Sequence, residues 1–299
     1  MDLLSVINSR FGISIGLAIG RLIPNRIGYL LARKIAGSIS SREDSAMVRS
    51  ARLNQWVVSG ERLSSEELNQ VAEETIANTA RFQYDLYHNL YNPPGLLDMM
   101  KFTPEAEAVI DRCKEPNEGQ LVVGLHMSSL DIAYLTLGLL GVRVYAISVS
   151  NPGGGYQMLN DLRKQYGFDL IPASKNAIRQ ALNLLSEGKT VITGIDRPIP
   201  GMKYRPLFFN RPAALPVHHI LLAVKSKKPI YITANIFQDG KYLLDTCGPI
   251  YMKEFLDRRT ETLWNAEAIL ERAEDFIRKA PQQWSMYYPV WPDIQDLAP

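Results

Sequence analysis

The sequence predicts an α/β fold: a mixed, mostly parallel sheet flanked by helices, with an amphipathic helical region at the amino terminus. Three observations carry this expectation. Short β-branched runs begin at Leu121, apolar stretches of helical length separate them, and the chain before Leu121 reads as helix. With 299 residues, 46% apolar and 21% charged, the chain has ample core and is not disordered. A net charge of +2 argues against an extended nucleic-acid groove, and a mean hydropathy of −0.10 excludes a polytopic membrane protein. Two distant cysteines, Cys113 and Cys247, make neither a disulfide framework nor a cysteine zinc site.

The front of the chain is asymmetric. Residues 1–37 hold Arg10, Arg21, Arg26, Arg33 and Lys34 against Asp2 alone, a net of +4, so the remainder carries −2. The longest uncharged run there, Phe11 to Gly20, has 10 residues, whereas a spanning helix needs about 20. Basic residues continue past the apolar part, which does not suit a cleaved signal peptide. Residues 1–37 are therefore expected as a membrane-associating helical segment, with a packed core helix as the alternative. Residues 38–120 are expected to be helical and 121–299 to form the sheet-containing core of a single domain. Ser40-Ser41-Arg42-Glu43 has N-cap character, Ser64-Ser65-Glu66-Glu67 resembles a capping box, and Pro93-Pro94-Gly95 ends the helical region.

Expected strands are Leu121 to Leu125, Val142 to Val149, Phe168 to Ile171, Thr190 to Ile195 and Pro229 to Ala234, with helices Ile132 to Leu140 and Ala177 to Leu185 among them. A hairpin is expected around Asp239-Gly240. An amphipathic helix from about Glu261 to Lys279 follows, stopped by Pro281, and the aromatic tail Trp284 to Trp291 reads as packing.

The strongest chemical signal is Gly124-Leu125-His126-Met127-Ser128-Ser129-Leu130-Asp131. His126 falls at the carboxyl end of a buried strand, where open α/β sheets gather ligands. Across a strand-to-helix turn the Asp131 carboxylate can reach back to the imidazole, fix its tautomer and leave the other nitrogen as a general base. Gly-x-Ser-x-Gly is absent, so such a pair suits direct transfer to an acceptor hydroxyl. The plain alternative is a capped helix beside a core histidine. Adjacent His218 and His219 face different directions on a helix and have no acid at ligand spacing, so no metal is expected.

This segment resembles the His-x4-Asp/Glu motif of the lipid A late acyltransferases and the phosphatidylinositol mannoside acyltransferases. Other stretches agree with that family: Gly20-Arg21-Leu22-Ile23-Pro24, Arg49 to Asn54, Leu162-Arg163-Lys164-Gln165-Tyr166-Gly167, Gly194-Ile195-Asp196-Arg197, Phe208-Phe209-Asn210-Arg211-Pro212-Ala213, and Ala280-Pro281-Gln282-Gln283-Trp284 through Pro289-Val290-Trp291. Ser129-Leu130 stands where the family usually places Asn-Trp, and Asn210 where it has glycine, which bears on acceptor specificity.

The resemblance implies a glycerolipid-acyltransferase-like fold and an O-acyltransferase peripheral to the cytoplasmic face of the inner membrane. The donor would be acyl-CoA or acyl carrier protein thioester, used as a co-substrate with no resident cofactor. The acceptor would be a glycolipid or lysophospholipid hydroxyl. His126 and Asp131 would be catalytic, while Arg163, Asp196 and Arg197 would bind an oxyanion, a phosphate or the acceptor. Two other readings stand beside it: an inactive lipid-binding accessory protein and an acyl thioesterase. A long acyl chain calls for an apolar groove beside the His126 turn, with Ile132, Ala133, Leu135, Leu137, Leu139 and Leu140 as expected walls and Ala133 and Gly138 leaving room.

Overall fold

The computed structural model describes residues 10–148, 154–174 and 176–299. The first nine residues of the expected amino-terminal segment, and Val149 at the end of an expected strand, lie outside the described residues. The helical front comprises α1 (Arg10–Leu22), α2 (Asn25–Ser40), α3 (Ala46–Val58), α4 (Ser65–Asn89) and α5 (Pro93–Met99). The capping box is present at α4, where Ser64 accepts from the Glu67 amide and the Glu67 carboxylate accepts from the Ser64 amide.

Two boundaries differ from expectation. Ser40 and Ser41 close α2 rather than open a helix, and the cap of α3 falls to Ser45, which accepts from the Val48 amide at 3.3 Å. Pro93-Pro94-Gly95 does end the long helix, but it also opens α5, since proline in a first turn sacrifices no hydrogen bond.

A seven-stranded sheet follows the order β1-β9-β8-β2-β5-β3-β4. Its strands are β1 (Met100–Phe102), β2 (Leu121–Gly124), β3 (Val144–Ser148), β4 (Phe168–Pro172), β5 (Thr190–Gly194), β8 (Ile230–Gln238) and β9 (Lys241–Ile250). All neighbours are parallel except β8 and β9, joined through Asp239-Gly240, both left-handed as a two-residue hairpin turn requires. Strand β1 lies within the stretch expected to be wholly helical. Three residues between two helices are too few to show an alternation pattern, and only its parallel pairing with β9 reveals it.

Helices α6 (Pro104–Lys114), α7 (Leu130–Leu139), α8 (Gly154–Gln165), α9 (Ala177–Ser186), α10 (His218–Ser226) and α11 (Arg258–Lys279) complete the layers. A small hairpin of β6 (Leu207–Phe208) and β7 (Arg211–Pro212) turns at Phe209-Asn210, both with positive φ. Asparagine tolerates that conformation, so Asn210 suits the second position of the turn.

Residue alternation splits the core in two. Leu121, Val123, Val191, Ile230 and Ile232 pack under α3, α9, α10 and α11, whereas Val122, Val144, Ile192 and Tyr231 face α4 through α8.

The front helices are amphipathic in an unusual sense. On α2, Gly28, Ala32 and Ala36 form the buried face, so close to α4 that a Cβ on Gly28 would lie 2.2 Å from the Tyr84 ring. The outward faces carry Phe11, Ile15, Ile19 and Leu22 on α1 and Ile27, Leu30, Leu31 and Ile35 on α2, with Phe11 71% and Leu22 80% exposed. Arg21, Arg26, Arg33 and Lys34 are exposed among them. Among the described residues no helix is long and apolar enough to cross a membrane.

Candidate active site

Strands β2 and β5 are parallel neighbours with Gly124 opposite Gly194. His126 and Asp196 each lie two residues past those glycines, so register alone brings them level at the carboxyl rim of the sheet. Asp196 is fully buried and accepts three hydrogen bonds: from the His126 amide at 2.7 Å, from His126 Nδ1 at 2.6 Å and from Trp284 Nε1 at 2.8 Å. Burial alone would raise its pKa. The attraction of His126 and these donors outweigh that, and the carboxyl is held below its usual range. An ionised Asp196 requires a proton on Nδ1, which leaves the Nε2 lone pair of neutral His126 free.

The expected His126–Asp131 pairing is not made. The amide and Nδ1 of His126 turn toward the neighbouring strand end, and Asp131, in the first turn of α7, faces α8 instead. There Arg163 grips it in a bidentate pair, Nε to Oδ1 at 2.6 Å and Nη2 to Oδ2 at 3.0 Å, while Nη1 donates to Asn160 at 2.8 Å. Burial opposes the charge on Arg163, but Asp131 more than restores it, so the guanidinium holds its proton above the ordinary arginine range. Asp196, expected to bind an oxyanion, a phosphate or the acceptor, is thus the partner of His126, and Asp131 is the partner of Arg163. Arg197 extends along the rim with its guanidinium 4.5 Å from the Tyr288 ring centroid, donating to the Tyr288 hydroxyl at 2.8 Å.

The carboxy-terminal tail builds part of the site. Trp284 pairs antiparallel with Met127, the Ser285 amide donates to the His126 carbonyl and the Ser128 amide to the Gln283 carbonyl, both at 2.8 Å. Asn54 on α3 holds the tail further along, donating to the carbonyls of Met286 and Tyr288 at 2.9 Å. Trp284 therefore does more than pack, although Phe208 and Trp291 do pack edge-on to it, with centroids at 6.0 and 6.4 Å.

His126, Asp131, Arg163 and Arg197 all line one cavity of about 620 Å³. Its polar mouth contrasts with its floor, mainly one face of the sheet: Gly124, Ile192 and Gly194, Ala146 and Ser148, Phe168 and Leu170, with Ile147 and Thr193 also reaching the cavity. Phe82 and Thr79 of α4 close the roof. The walls differ from the expected ones. Only Leu130, Asp131 and Tyr134 of α7 reach the cavity, whereas Ile132, Ala133 and Leu135 are buried in the core. Gly138 offers no room either, since a Cβ there would meet the Tyr166 carbonyl oxygen at 1.8 Å.

His218, at the start of α10, borders the cavity on its other side with Nε2 2.7 Å from the Thr193 hydroxyl. Burial lowers its pKa to about 4, and that of His219 to about 3, so both are neutral near pH 7.

The sequence profile of the bacterial lipid A biosynthesis acyltransferases matches residues 4–292. Among solved structures the chain is similar to the 1-acyl-sn-glycerophosphate (LPA) acyltransferase PlsC from Thermotoga maritima. Identity there is 16%, coverage is 86% of this chain and 98% of that one, and the TM-score is 0.38. No curated protein matches the sequence.

Proposed function

The chain belongs to the bacterial lipid A biosynthesis acyltransferase family, and from that premise we propose that it moves a fatty acyl chain from an acyl-CoA or acyl carrier protein thioester to a glycolipid hydroxyl, with His126 as general base. The observation that carries this is His126, a third exposed and lining the cavity, with Nδ1 held by the buried Asp196 and, among the described residues, no partner on Nε2.

The steps balance without a protein nucleophile. Nε2 takes the proton of the acceptor hydroxyl as its oxygen attacks the thioester carbonyl, giving a tetrahedral oxyanion and an imidazolium steadied by Asp196. Collapse breaks the carbon–sulfur bond, and the leaving thiolate takes the proton from His126. The Leu130 and Asp131 N–H groups in the first turn of α7, which have no acceptor within the helix, suit the oxyanion, whereas that of Ile132 already donates to Ser129 Oγ. They suit it better than Arg163, whose three nitrogens already serve Asp131 and Asn160. The apolar sheet floor suits the acyl chain, since each buried methylene is worth about 0.8 kcal/mol.

The outward apolar and basic faces of α1 and α2 support a peripheral position on the cytoplasmic leaflet of the inner membrane. Such a surface places enzyme and lipid acceptor in the same plane. Purified protein incubated with a lipid extract and, in parallel, a long-chain acyl-CoA or the matching acyl carrier protein thioester tests the reading. Thiol release with a new lipid ester supports it; release with only free fatty acid makes the protein a thioesterase, and no release makes it a binding protein.

A further inference from the structure

Beneath the main cavity lies a second, of about 40 Å³, among Val122, Val144, Thr190, Thr233, Leu244 and their neighbours. Leu130, Tyr134, Phe168 and Ile192 line both spaces and are therefore the partition between them. Val122 and Val144 stand two residues before Gly124 and Ala146, so the lower space continues the upper one along the strands by about 7 Å. The two aromatic members of the partition are stacked, ring centroids 4.4 Å apart and planes inclined by 27°. Helical spacing sets this wall: Leu130 and Tyr134 lie four apart on the cavity face of α7. Gly124 makes space for it, its backbone passing just below the Tyr134 hydroxyl, which an added Cβ would meet at 3.3 Å.

We infer that Tyr134, braced on Phe168, is the stop that sets the length of acyl chain the enzyme accepts. This deepens the acyl-transfer reading and rests on it. A chain whose carbonyl lies at His126 runs down the sheet floor past Gly194, Ala146 and Ile192 and ends against the stacked rings. Longer chains must displace the rings or leave methylenes in water, and each methylene so stranded costs about fourfold in affinity. The lower cavity is the length that becomes available when the stop is trimmed.

The test is a chain-length series of saturated acyl-CoA thioesters, read as kcat/KM, beside calorimetric binding of the matching free fatty acids. Tyr134→Ala, or Tyr134→Leu should the first variant unfold, is expected to move the optimum to longer chains, gaining about fourfold per newly accommodated methylene. Tyr134→Phe keeps the ring and should keep the wild-type optimum, and Ala146→Leu, which fills the floor, should shorten it. An unchanged optimum in folded Tyr134→Leu, or a shift in Tyr134→Phe as large as in Tyr134→Ala, overturns the inference. Failure of the wild type to use any thioester would instead strike down the transfer reading, and the fatty-acid binding series would still decide whether Tyr134 limits length.

Discussion

His126 and Asp196 are joined twice, once through the backbone amide and once through the ring, by the two oxygens of a single carboxylate. That double hold fixes both the ring's position and its tautomer, which a single side-chain contact does not. His126→Ala should lower the transfer rate about 10²–10⁴-fold, and Asp196→Asn should approach that loss by admitting the wrong tautomer. Asp131→Asn should act instead through the released Arg163. A double-mutant cycle between Asp131 and Arg163 is expected to show a coupling of about 0.5–3 kcal/mol in stability, with none between Asp131 and His126. A strong Asp131–His126 coupling in the rate would reverse this assignment.

Trp284→Phe keeps the aromatic packing and removes one donor from a buried carboxylate, at a cost of about 1.5–3 kcal/mol. The carboxyl of Asp196 is held below its usual range, so its stabilising contribution is complete above the unfolded pKa near 4 and is lost as pH falls through the folded value. Without Trp284 that loss should begin at higher pH. Urea titrations of both proteins across the acid range measure the displacement, and superimposable curves would mean that Trp284 only packs.

His218 and His219 make a separate pH contribution. Their folded pKa values, about 4 and about 3, lie below the unfolded 6.5, so in that interval the unfolded chain binds more protons. Stability from this source is therefore whole above about pH 6.5 and declines as pH falls toward 4. For His218 alone the full decline is on the order of 3 kcal/mol. His218→Gln should flatten the slope of stability between these limits, as denaturant midpoints at a series of pH values would show. An unaltered slope would mean that the imidazole stays hydrated in the folded protein.

Deleting the front helices is a poor test of membrane contact, because α1 and α2 pack closely on α4, at Tyr87 and Tyr84. Polar replacements on the exposed face, such as Leu22→Ser with Leu30→Gln, should leave the fold intact and release the protein from anionic vesicles. Neutralising Arg26 and Arg33 should weaken binding mainly at low salt, since the screening length shrinks to about 3 Å at 1 M. Undiminished co-sedimentation of the polar variant would remove these helices from the membrane role.

The sheet was legible wherever a strand was long and apolar enough to declare itself, as in β2, β5 and β8, and the Asp239-Gly240 turn carried its own signature. Strand β1 was not, because three residues hold no period. At the site, proximity in sequence misled: Asp131 is five residues from His126, but it sits across a turn and is claimed by Arg163 on another helix. The true partner is 70 residues away. A signal for it exists in the repetition of Gly124-Leu125-His126 and Gly194-Ile195-Asp196, a glycine, an apolar residue and a polar one ending two apolar strands. Only the knowledge that β2 and β5 are adjacent turns that repetition into a contact. Trp284 and Tyr134 have no local signal at all, since an indole donor and a cavity-stopping ring read in sequence as ordinary core.

The strap formed by Gln283, Trp284 and Ser285 has a consequence for the order of events during synthesis. A ribosome makes the front helices and the whole of β2 and β5 long before it reaches the indole that steadies Asp196. Until Trp284 leaves the exit tunnel, the nascent chain holds the histidine and the carboxylate on strands that have not been clamped. The last donor to the Asp196 carboxylate is thus made long after both strands that carry the pair, and the His126–Asp196 geometry is completed only when the strap closes over it.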